Sequence, residues 1–182
     1  PLLDHHNVSR AGWLVHAQAS LRGPSLFQCA QSRVTVVGLG ATGLSLARFL
    51  SRRGAHVTAV DSEASPAALT QYRAELPDAK FQVMDFQRDS LPASDLVALS
   101  PGVPRAAAAI RDAIKASVPV VGDIELFARE IAADARVFAV TGSNGKTTTT
   151  ALAGELARTV DPGTRVAGNI GNQRSRCLVV PK

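Results

Sequence analysis

The sequence is poor in aromatic residues and in cysteine, and each shortage argues against a class of function. Phe, Trp and Tyr together make up 4% of the 182 residues, which leaves few rings for stacking against single-stranded nucleic acid. The two cysteines, Cys29 and Cys177, lie near opposite ends of the chain, without the spacing of a metal site or a redox pair. We interpret both as isolated thiols.

The sequence also lacks a long apolar run. No stretch reaches the roughly 18 apolar residues that predict a membrane-spanning helix. The first ten residues, PLLDHHNVSR, have neither the basic nor the apolar region of a signal peptide. We therefore expect no membrane span and a cytoplasmic location.

Positive charge is present in excess but is not concentrated in the regular part of the chain. The formal net charge is +5 and the pI is near 9.9. Residues 33–171, however, carry 15 Lys or Arg against 14 Asp or Glu, so most of the excess lies toward the two ends. Nucleic-acid binding requires basic residues clustered on a folded face, and we expect no nucleic-acid partner.

Apolar runs typical of buried strands alternate with helix-like stretches from Arg33 onward. The predicted strands are 33–38, 55–60, 80–84, 95–99 and 118–121, and the predicted helices are 43–53, 66–75, 104–116 and 123–132. This alternation predicts a doubly wound α/β domain with a parallel, Rossmann-like sheet over 33–122. Residues 1–32 show no clear period and are expected to be an extension of low order.

A second α/β domain is predicted to start at residue 123. The pattern there gives the helix DIELFAREIAA, the strand RVFAV, the loop TGSNGK, a helix starting with TTTT and a further strand TRVAG at 164–168. Over 123–182 we expect only the start of this domain, because two strands cannot cover the edges of their own sheet.

Two glycine-rich loops each follow a predicted strand and begin a predicted helix. The first, GLGATG at 38–43, fits the dinucleotide fingerprint G-x-G-x-x-G, whose glycines allow a tight turn, close approach of a phosphate and packing of helix on strand. Asp61 follows the next strand, where a dinucleotide enzyme places its ribose-binding acid. NAD is therefore one candidate ligand, and an N-cap or a solvated carboxylate is the structural alternative for Asp61.

The second loop has the composition of an ATP site. Its N–H groups and the helix N-terminus would converge on one anion. Lys146 would neutralise phosphate oxygens, and the Thr147 hydroxyl would bind Mg²⁺. The candidate nucleotide-binding residues are Gly142, Ser143, Asn144, Gly145, Lys146, Thr147 and Thr148, with Lys146 and Thr147 also taken as catalytic. The structural alternative is a capped turn.

Taken together, these segments resemble the Mur ligases. The matching segments are VTVVGLGATGLSLARFL, AVDS at 59–62, LSPGVP at 99–104, VGDIELF at 121–127, AVTGSNGKTTTT and AGNIG at 167–171. They occur in family order from Arg33 to Gly171, and GDIELF and AGNIG favour the members that add D-glutamate. The resemblance implies a first domain that binds the UDP part of a muramoyl substrate rather than NAD, followed by a P-loop ATP-binding domain.

The resemblance also implies the substrates and the residues that touch them. The partners would be UDP-N-acetylmuramoyl-L-alanine and D-glutamate, joined with ATP and Mg²⁺ through an acyl phosphate during peptidoglycan precursor synthesis. The implied substrate-binding residues are Gly40, Ala41, Thr42, Gly43, Asp61, Ser62, Ser100, Pro101, Gly102 and Asn169. The complete family protein is expected to be monomeric.

Several alternatives remain open at this point. The resemblance places four further functional parts of the family beyond Gly171: a carbamylated lysine, a histidine, a metal-binding glutamate and the domain that binds D-glutamate. This chain is therefore expected to be inactive as a ligase by itself. A NAD-binding oxidoreductase or regulatory module would explain the first loop but not the second. A non-catalytic nucleotide-binding fragment is a third hypothesis, and another Mur or folylpolyglutamate-type ligase fits the first domain less well.

Overall fold

A computed structural model of the chain describes residues 14–17, 31–130 and 137–166. Its internal contacts divide it into two units. The first, which we call the sheet unit, lies within Gly23–Ile131. The second, the loop–helix unit, combines Pro1–Arg22 with Ala132–Lys182.

The sheet unit contains five parallel strands. They are β2 (Arg33–Val37), β3 (His56–Asp61), β4 (Lys80–Val83), β5 (Leu96–Leu99) and β6 (Val120–Gly122). Their order across the sheet is β4-β3-β2-β5-β6, and every neighbouring pair is parallel. The predicted α/β fold with a parallel sheet is confirmed.

Helices cover both faces of this sheet, so the central strands β2 and β5 are largely buried on both sides, as in other parallel sheets. The helices are α1 (Ala41–Arg52), α2 (Leu69–Glu75), α3 (Ala108–Lys115) and α4 (Asp123–Glu130). Alternate residues of β2 enter opposite cores: Val36 packs in a cluster with Leu50 of α1, whereas Val37 packs in a cluster with Ile110 of α3. The result is a three-layer arrangement with the sheet in the middle.

The predicted boundaries in the sheet unit agree with the structure to within a few residues, apart from a later start of α2 and α3. The helix DIELFARE differs in its packing. The sequence pattern places it at the start of the second domain, but Leu126 of α4 is 2% exposed and belongs to the core of the sheet unit. Its apolar spacing therefore reflects packing on the first sheet.

The loop–helix unit contains β1 (Leu14–Ala17), β7 (Phe138–Thr141) and α5 (Lys146–Val160). β1 pairs antiparallel with β7, with Leu14 opposite Thr141. The expectation of low order across residues 1–32 is therefore wrong for Leu14–Ala17, because four residues without a clear period can still form a strand when a partner strand supplies hydrogen bonds.

The strand predicted at 164–168 is not formed over 164–166, and its last two residues lie outside the described ranges. Residues 164–166 instead return toward α5. A Cβ built at Gly154 would lie 2.1 Å from Cγ2 of Val166, so only glycine admits this approach. Within the described ranges, no helix combines the length and the apolar character required to cross a membrane.

Candidate functional site

The candidate site lies at the carboxyl edge of the five-stranded sheet. β2 is central, the chain adds β3 and β4 on one side of it, and then continues with β5 and β6 on the other. Ligands of open α/β sheets bind where the strand order reverses in this way. The loops after β2 and β5 meet at this point: the glycine loop, residues 38–43, and the turn Ser100–Val103, which we call the SPG turn.

Two glycines of the glycine loop are required by the fold itself. Gly38 has φ +87°, a conformation that side chains rarely adopt, and its N–H donates to the carbonyl of Val60 at 2.8 Å. Gly43 is the third residue of α1, where the helix passes close to the start of the loop. A Cβ there would be 1.9 Å from the carbonyl oxygen of Gly38. These two positions correspond to the tight-turn and helix-packing roles predicted from the fingerprint.

Gly40 has neither constraint. Its φ is −84°, it is exposed, and a Cβ built on it would meet no atom within 4 Å. Nothing in the described protein explains a glycine here. A ligand that approaches the backbone closely would explain it, since the middle glycine of the fingerprint makes room for a phosphate.

The start of α1 offers N–H groups to such a ligand. The first helical hydrogen bond runs from the Leu44 N–H to the Gly40 carbonyl at 3.0 Å. No side chain caps this end of the helix and its first turn has no acidic residue. Among the described residues, the N–H groups of residues 41–43 have no acceptor. Unsatisfied donors at a helix N-terminus attract anions.

The SPG turn packs directly on the glycine loop. The Ser100 N–H donates to the Val37 carbonyl at 2.9 Å, and the Val103 N–H closes the turn on the Ser100 carbonyl at 3.0 Å. A Cβ at Gly38 would lie 2.8 Å from Val103 Cγ2. The structure therefore brings Ser100, which is 7% exposed, next to the loop, with Pro101 and Gly102 exposed beside it. The contact of Val103 with Gly38 is one that sequence reasoning did not identify.

Asp61 ends β3 and also contacts the glycine loop. Its Oδ2 accepts a hydrogen bond from the Leu39 N–H at 2.6 Å, and its Oδ1 accepts one from the Glu63 N–H at 3.0 Å. Both oxygens of this half-buried carboxylate therefore bind the protein's own backbone. Ser62, the next residue, is exposed. Sequence spacing located Asp61 at the correct edge but gave no sign of its bond to Leu39.

The second glycine loop has the predicted order of strand, loop and helix. It follows β7, and Gly145 at the start of α5 has the left-handed conformation, with φ +71°. The Lys146 ammonium donates to the carbonyls of Gly142 and Ser143, the latter at 3.0 Å. The lysine side chain thus folds back over its own loop. Apart from Gly142, which is half-buried, the loop residues Ser143, Asn144, Gly145, Lys146, Thr147 and Thr148 are exposed.

One hydroxyl is a candidate ligand for a metal ion. Thr147 is exposed at the start of α5 and could offer its hydroxyl to a cation. Within the ranges that the structure describes, no group of three or more His, Cys, Asp or Glu side chains could hold a metal ion. Asn169, the remaining predicted substrate residue, lies outside the described residues.

Two titratable contacts of the sheet unit lie away from the carboxyl edge. The hydrogen-bonded Arg33 guanidinium, 3.0 Å from the Asp95 carboxylate, lowers the pKa of Asp95. Burial raises the pKa of Tyr72 to about 12, and its hydroxyl donates to the Lys80 carbonyl at 2.9 Å. Both contacts join elements of the fold, and neither belongs to the site.

Comparison with known proteins adds a family match to this geometry. The family described as "Mur ligase MurD-like, N-terminal domain" matches residues 32–122. This range covers the five strands of the sheet unit and both loops of its carboxyl edge.

Curated relatives match a longer part of the chain. A UDP-N-acetylmuramoylalanine–D-glutamate ligase of Methylobacillus flagellatus is 44% identical over 146 residues, covering 80% of this chain and 32% of the relative. The enzyme of the same name from Ralstonia nicotianae is 46% identical over 148 residues, covering 75% of this chain and 30% of the relative. The chain thus spans about a third of the length of the curated relatives it matches.

Solved structures include a UDP-N-acetylmuramate–alanine ligase from Thermotoga maritima. It is 23% identical with a TM-score of 0.45, covering 71% of this chain and 30% of that one.

Proposed function

Because the chain belongs to the Mur ligase family, through its MurD-like N-terminal domain, we propose that its glycine loop binds the UDP part of UDP-N-acetylmuramoyl-L-alanine. The observation that carries this proposal is Gly40. It is a glycine that the fold does not require, at the start of a helix whose first N–H groups have no acceptor in the described chain. Backbone N–H groups in this arrangement suit a pyrophosphate.

The SPG turn and the end of β3 complete the proposed substrate-binding edge. Ser100, Pro101 and Gly102 lie against the glycine loop, and Asp61 and Ser62 follow the neighbouring strand. We assign the nucleoside and sugar ends of the substrate to Ser62 and the SPG turn, with Asp61 placed beside the glycine loop at the same edge. Asn169 remains part of the proposal through the resemblance of AGNIG alone.

We further propose that the loop after β7 binds the phosphates of ATP. Gly145 in its left-handed conformation turns the chain into α5, and Lys146 supplies the positive charge of the loop. These residues fit a phosphate group. The Thr147 hydroxyl would hold Mg²⁺ together with phosphate oxygens, since a single protein ligand suffices for a magnesium ion that keeps water and phosphate as its other ligands.

On this proposal, the chain is the amino-terminal part of an ATP-dependent ligase of peptidoglycan precursor synthesis, acting in the cytoplasm on UDP-N-acetylmuramoyl-L-alanine and D-glutamate. ATP supplies the phosphoryl group that activates the substrate carboxylate. The contribution of this chain's own residues is to bind and orient: N–H groups at the two helix starts and Lys146 hold negatively charged phosphates. We propose that the 182 residues alone bind nucleotides without joining the amino acid.

Calorimetry with the whole 182-residue chain tests the proposal. We expect UDP-N-acetylmuramoyl-L-alanine to bind more tightly than NAD. Gly40→Ala should weaken that binding about tenfold without lowering stability, because its methyl group stands where the phosphates approach. Gly122→Ala is the matched control, since a Cβ there also meets no atom within 4 Å. Tighter binding of NAD would favour the dinucleotide module and would end the proposal.

A further inference from the structure

We propose that Asp61 is a positioning residue: its carboxylate, bonded to the Leu39 N–H, fixes the glycine loop in the conformation that receives the pyrophosphate. This inference rests on the proposed function of the loop. It assigns Asp61 a role different from reading a ribose or a uracil. The residue would act through Leu39 and would need no direct contact with substrate.

The geometry of the contact supports this role. The bond from the Leu39 N–H to Asp61 Oδ2 is 2.6 Å long and joins positions 22 residues apart in the chain. Leu39 lies between Gly38 and Gly40, and its side chain is 0% exposed in the core. The middle of the loop is thus held on one side by buried packing and on the other by a charge-assisted hydrogen bond.

The second oxygen explains why an aspartate suits this position. Oδ1 accepts from the Glu63 N–H at 3.0 Å, so two backbone donors face two carboxylate oxygens. Asparagine offers only one oxygen and would place an NH₂ group against one of these donors. This position therefore requires two acceptors, and the Asp61→Asn variant should keep only part of the loop's order.

The neighbouring hydrogen bonds show what the carboxylate adds. The Gly38 N–H is bonded to Val60 and the Leu44 N–H to Gly40, which fix the two ends of the loop. The Asp61 bond fixes the peptide between them. If that bond is lost, the N–H groups at the start of α1 lose their fixed orientation, and binding must restore it at a cost in affinity.

The test compares the intact 182-residue chain with its Asp61→Asn and Asp61→Ala variants, using UDP and inorganic pyrophosphate as probes. If Asp61 positions the loop, Asp61→Asn should weaken the binding of both probes by the same factor, about tenfold, and Asp61→Ala by more. If Asp61 contacts the nucleoside, only UDP binding should weaken. If the substitution acted only by removing a negative charge, pyrophosphate would bind more tightly. Weaker binding of pyrophosphate therefore indicates positioning, and tighter binding indicates a charge effect.

Amide hydrogen exchange provides a readout that needs no ligand. The Leu39 amide should exchange about tenfold faster in Asp61→Asn, while the amides of β2 keep their wild-type rates and show that the variant is folded. Asp78→Asn is the control, because it removes the same charge from an exposed residue just before β4, at the opposite edge of the sheet. It should change neither probe's affinity nor the Leu39 rate.

The outcomes separate the inference from the proposed function. Unchanged Leu39 exchange in both variants, or tighter pyrophosphate binding, overturns the positioning role. If the wild-type chain binds neither probe, the proposed function fails at this loop, and the Leu39 exchange rates alone then confirm or refute that Asp61 holds it.

Discussion

The glycine loop after β2 and the loop after β7 have the same order of strand, turn and helix, but their surroundings differ. The first is held by other strands: Asp61 bonds to Leu39, and the SPG turn packs on Gly38. The second is largely exposed, and the side-chain contact described within it comes from its own Lys146. A glycine-rich loop between a strand and a helix can thus be held by other parts of the fold or by contacts of its own residues.

This difference extends to the units that carry the loops. The sheet unit buries apolar residues on both faces of its sheet. In the loop–helix unit Leu152, Leu156 and Val160 on α5 are exposed, at 62%, 63% and 87%. Burial of apolar surface is the main source of stability. We therefore expect the first loop to keep its shape without ligand, and the second to gain more order if a nucleotide binds, as proposed.

The largest expected effect comes from Gly43→Ala. The added methyl group would overlap the Gly38 carbonyl oxygen, 1.9 Å from the Cβ position, and neither the loop nor α1 can move aside easily. We expect a loss of about 3 kcal/mol in the free energy of unfolding, which exceeds the gain in helix propensity.

Urea denaturation checks this value, with Gly40→Ala as the control in the same loop. If both variants unfold at the same urea concentration, the first loop is not held by close packing, and the contrast between the two loops fails.

The next effect concerns the second loop. Lys146→Ala should reduce ATP affinity roughly thirtyfold, or about 2 kcal/mol, because backbone N–H groups cannot replace the charge-assisted bonds of the ammonium group. Isothermal titration with Mg²⁺ and ATP provides the measurement. Lys115→Ala removes an exposed lysine of the sheet unit and should leave the affinity unchanged. Equal affinities of wild type and Lys146→Ala would identify the loop as a structural turn.

The smallest expected effect is a change in stability with pH that reports on the sheet unit alone. Tyr72 is the one tyrosine in the sequence and lies in the sheet unit, with a pKa raised to about 12. Because the folded state favours the neutral phenol, its stabilising contribution is complete below the ordinary pKa of about 10. That contribution is lost as the pH rises toward 12.

Urea midpoints across this range should fall for the wild type, and the fall should be smaller for Tyr72→Phe. At neutral pH the variant should lose about 1 kcal/mol, because it lacks the hydroxyl bond to Lys80. An identical alkaline decline in both proteins would show that the transition does not report on the sheet unit.

The sequence was sufficient to predict the parallel sheet and its carboxyl edge, because apolar runs and glycine spacings are local signals. It also predicted the tight turn at Gly38 and the close helix packing at Gly43, and the structure has both. Contacts between distant residues were not predictable in the same way. The bond from Leu39 to Asp61 and the contact of Val103 with Gly38 depend on how strands align, and no local pattern encodes them.

The packing of α4 and the pairing of β1 illustrate the same limit. The amphipathic spacing of DIELFARE predicted a helix correctly but could not indicate which core receives Leu126. Leu14–Ala17 has no period of its own, and its strand exists through backbone pairing with β7. A pattern predicts that an element has a buried face, whereas its partner is decided by the rest of the chain.

The pairing of β1 with β7 has a consequence for the order of events during synthesis. β1 precedes the sheet unit in the chain and β7 follows it, so the whole of that unit is translated between the two strands. Domains fold as units while the chain emerges from the ribosome. The sheet unit can therefore fold first, while Leu14–Ala17 waits without its partner, exposed to chaperones or to pairing with a neighbouring nascent chain. The wait lasts at least until Thr141 has emerged from the ribosome.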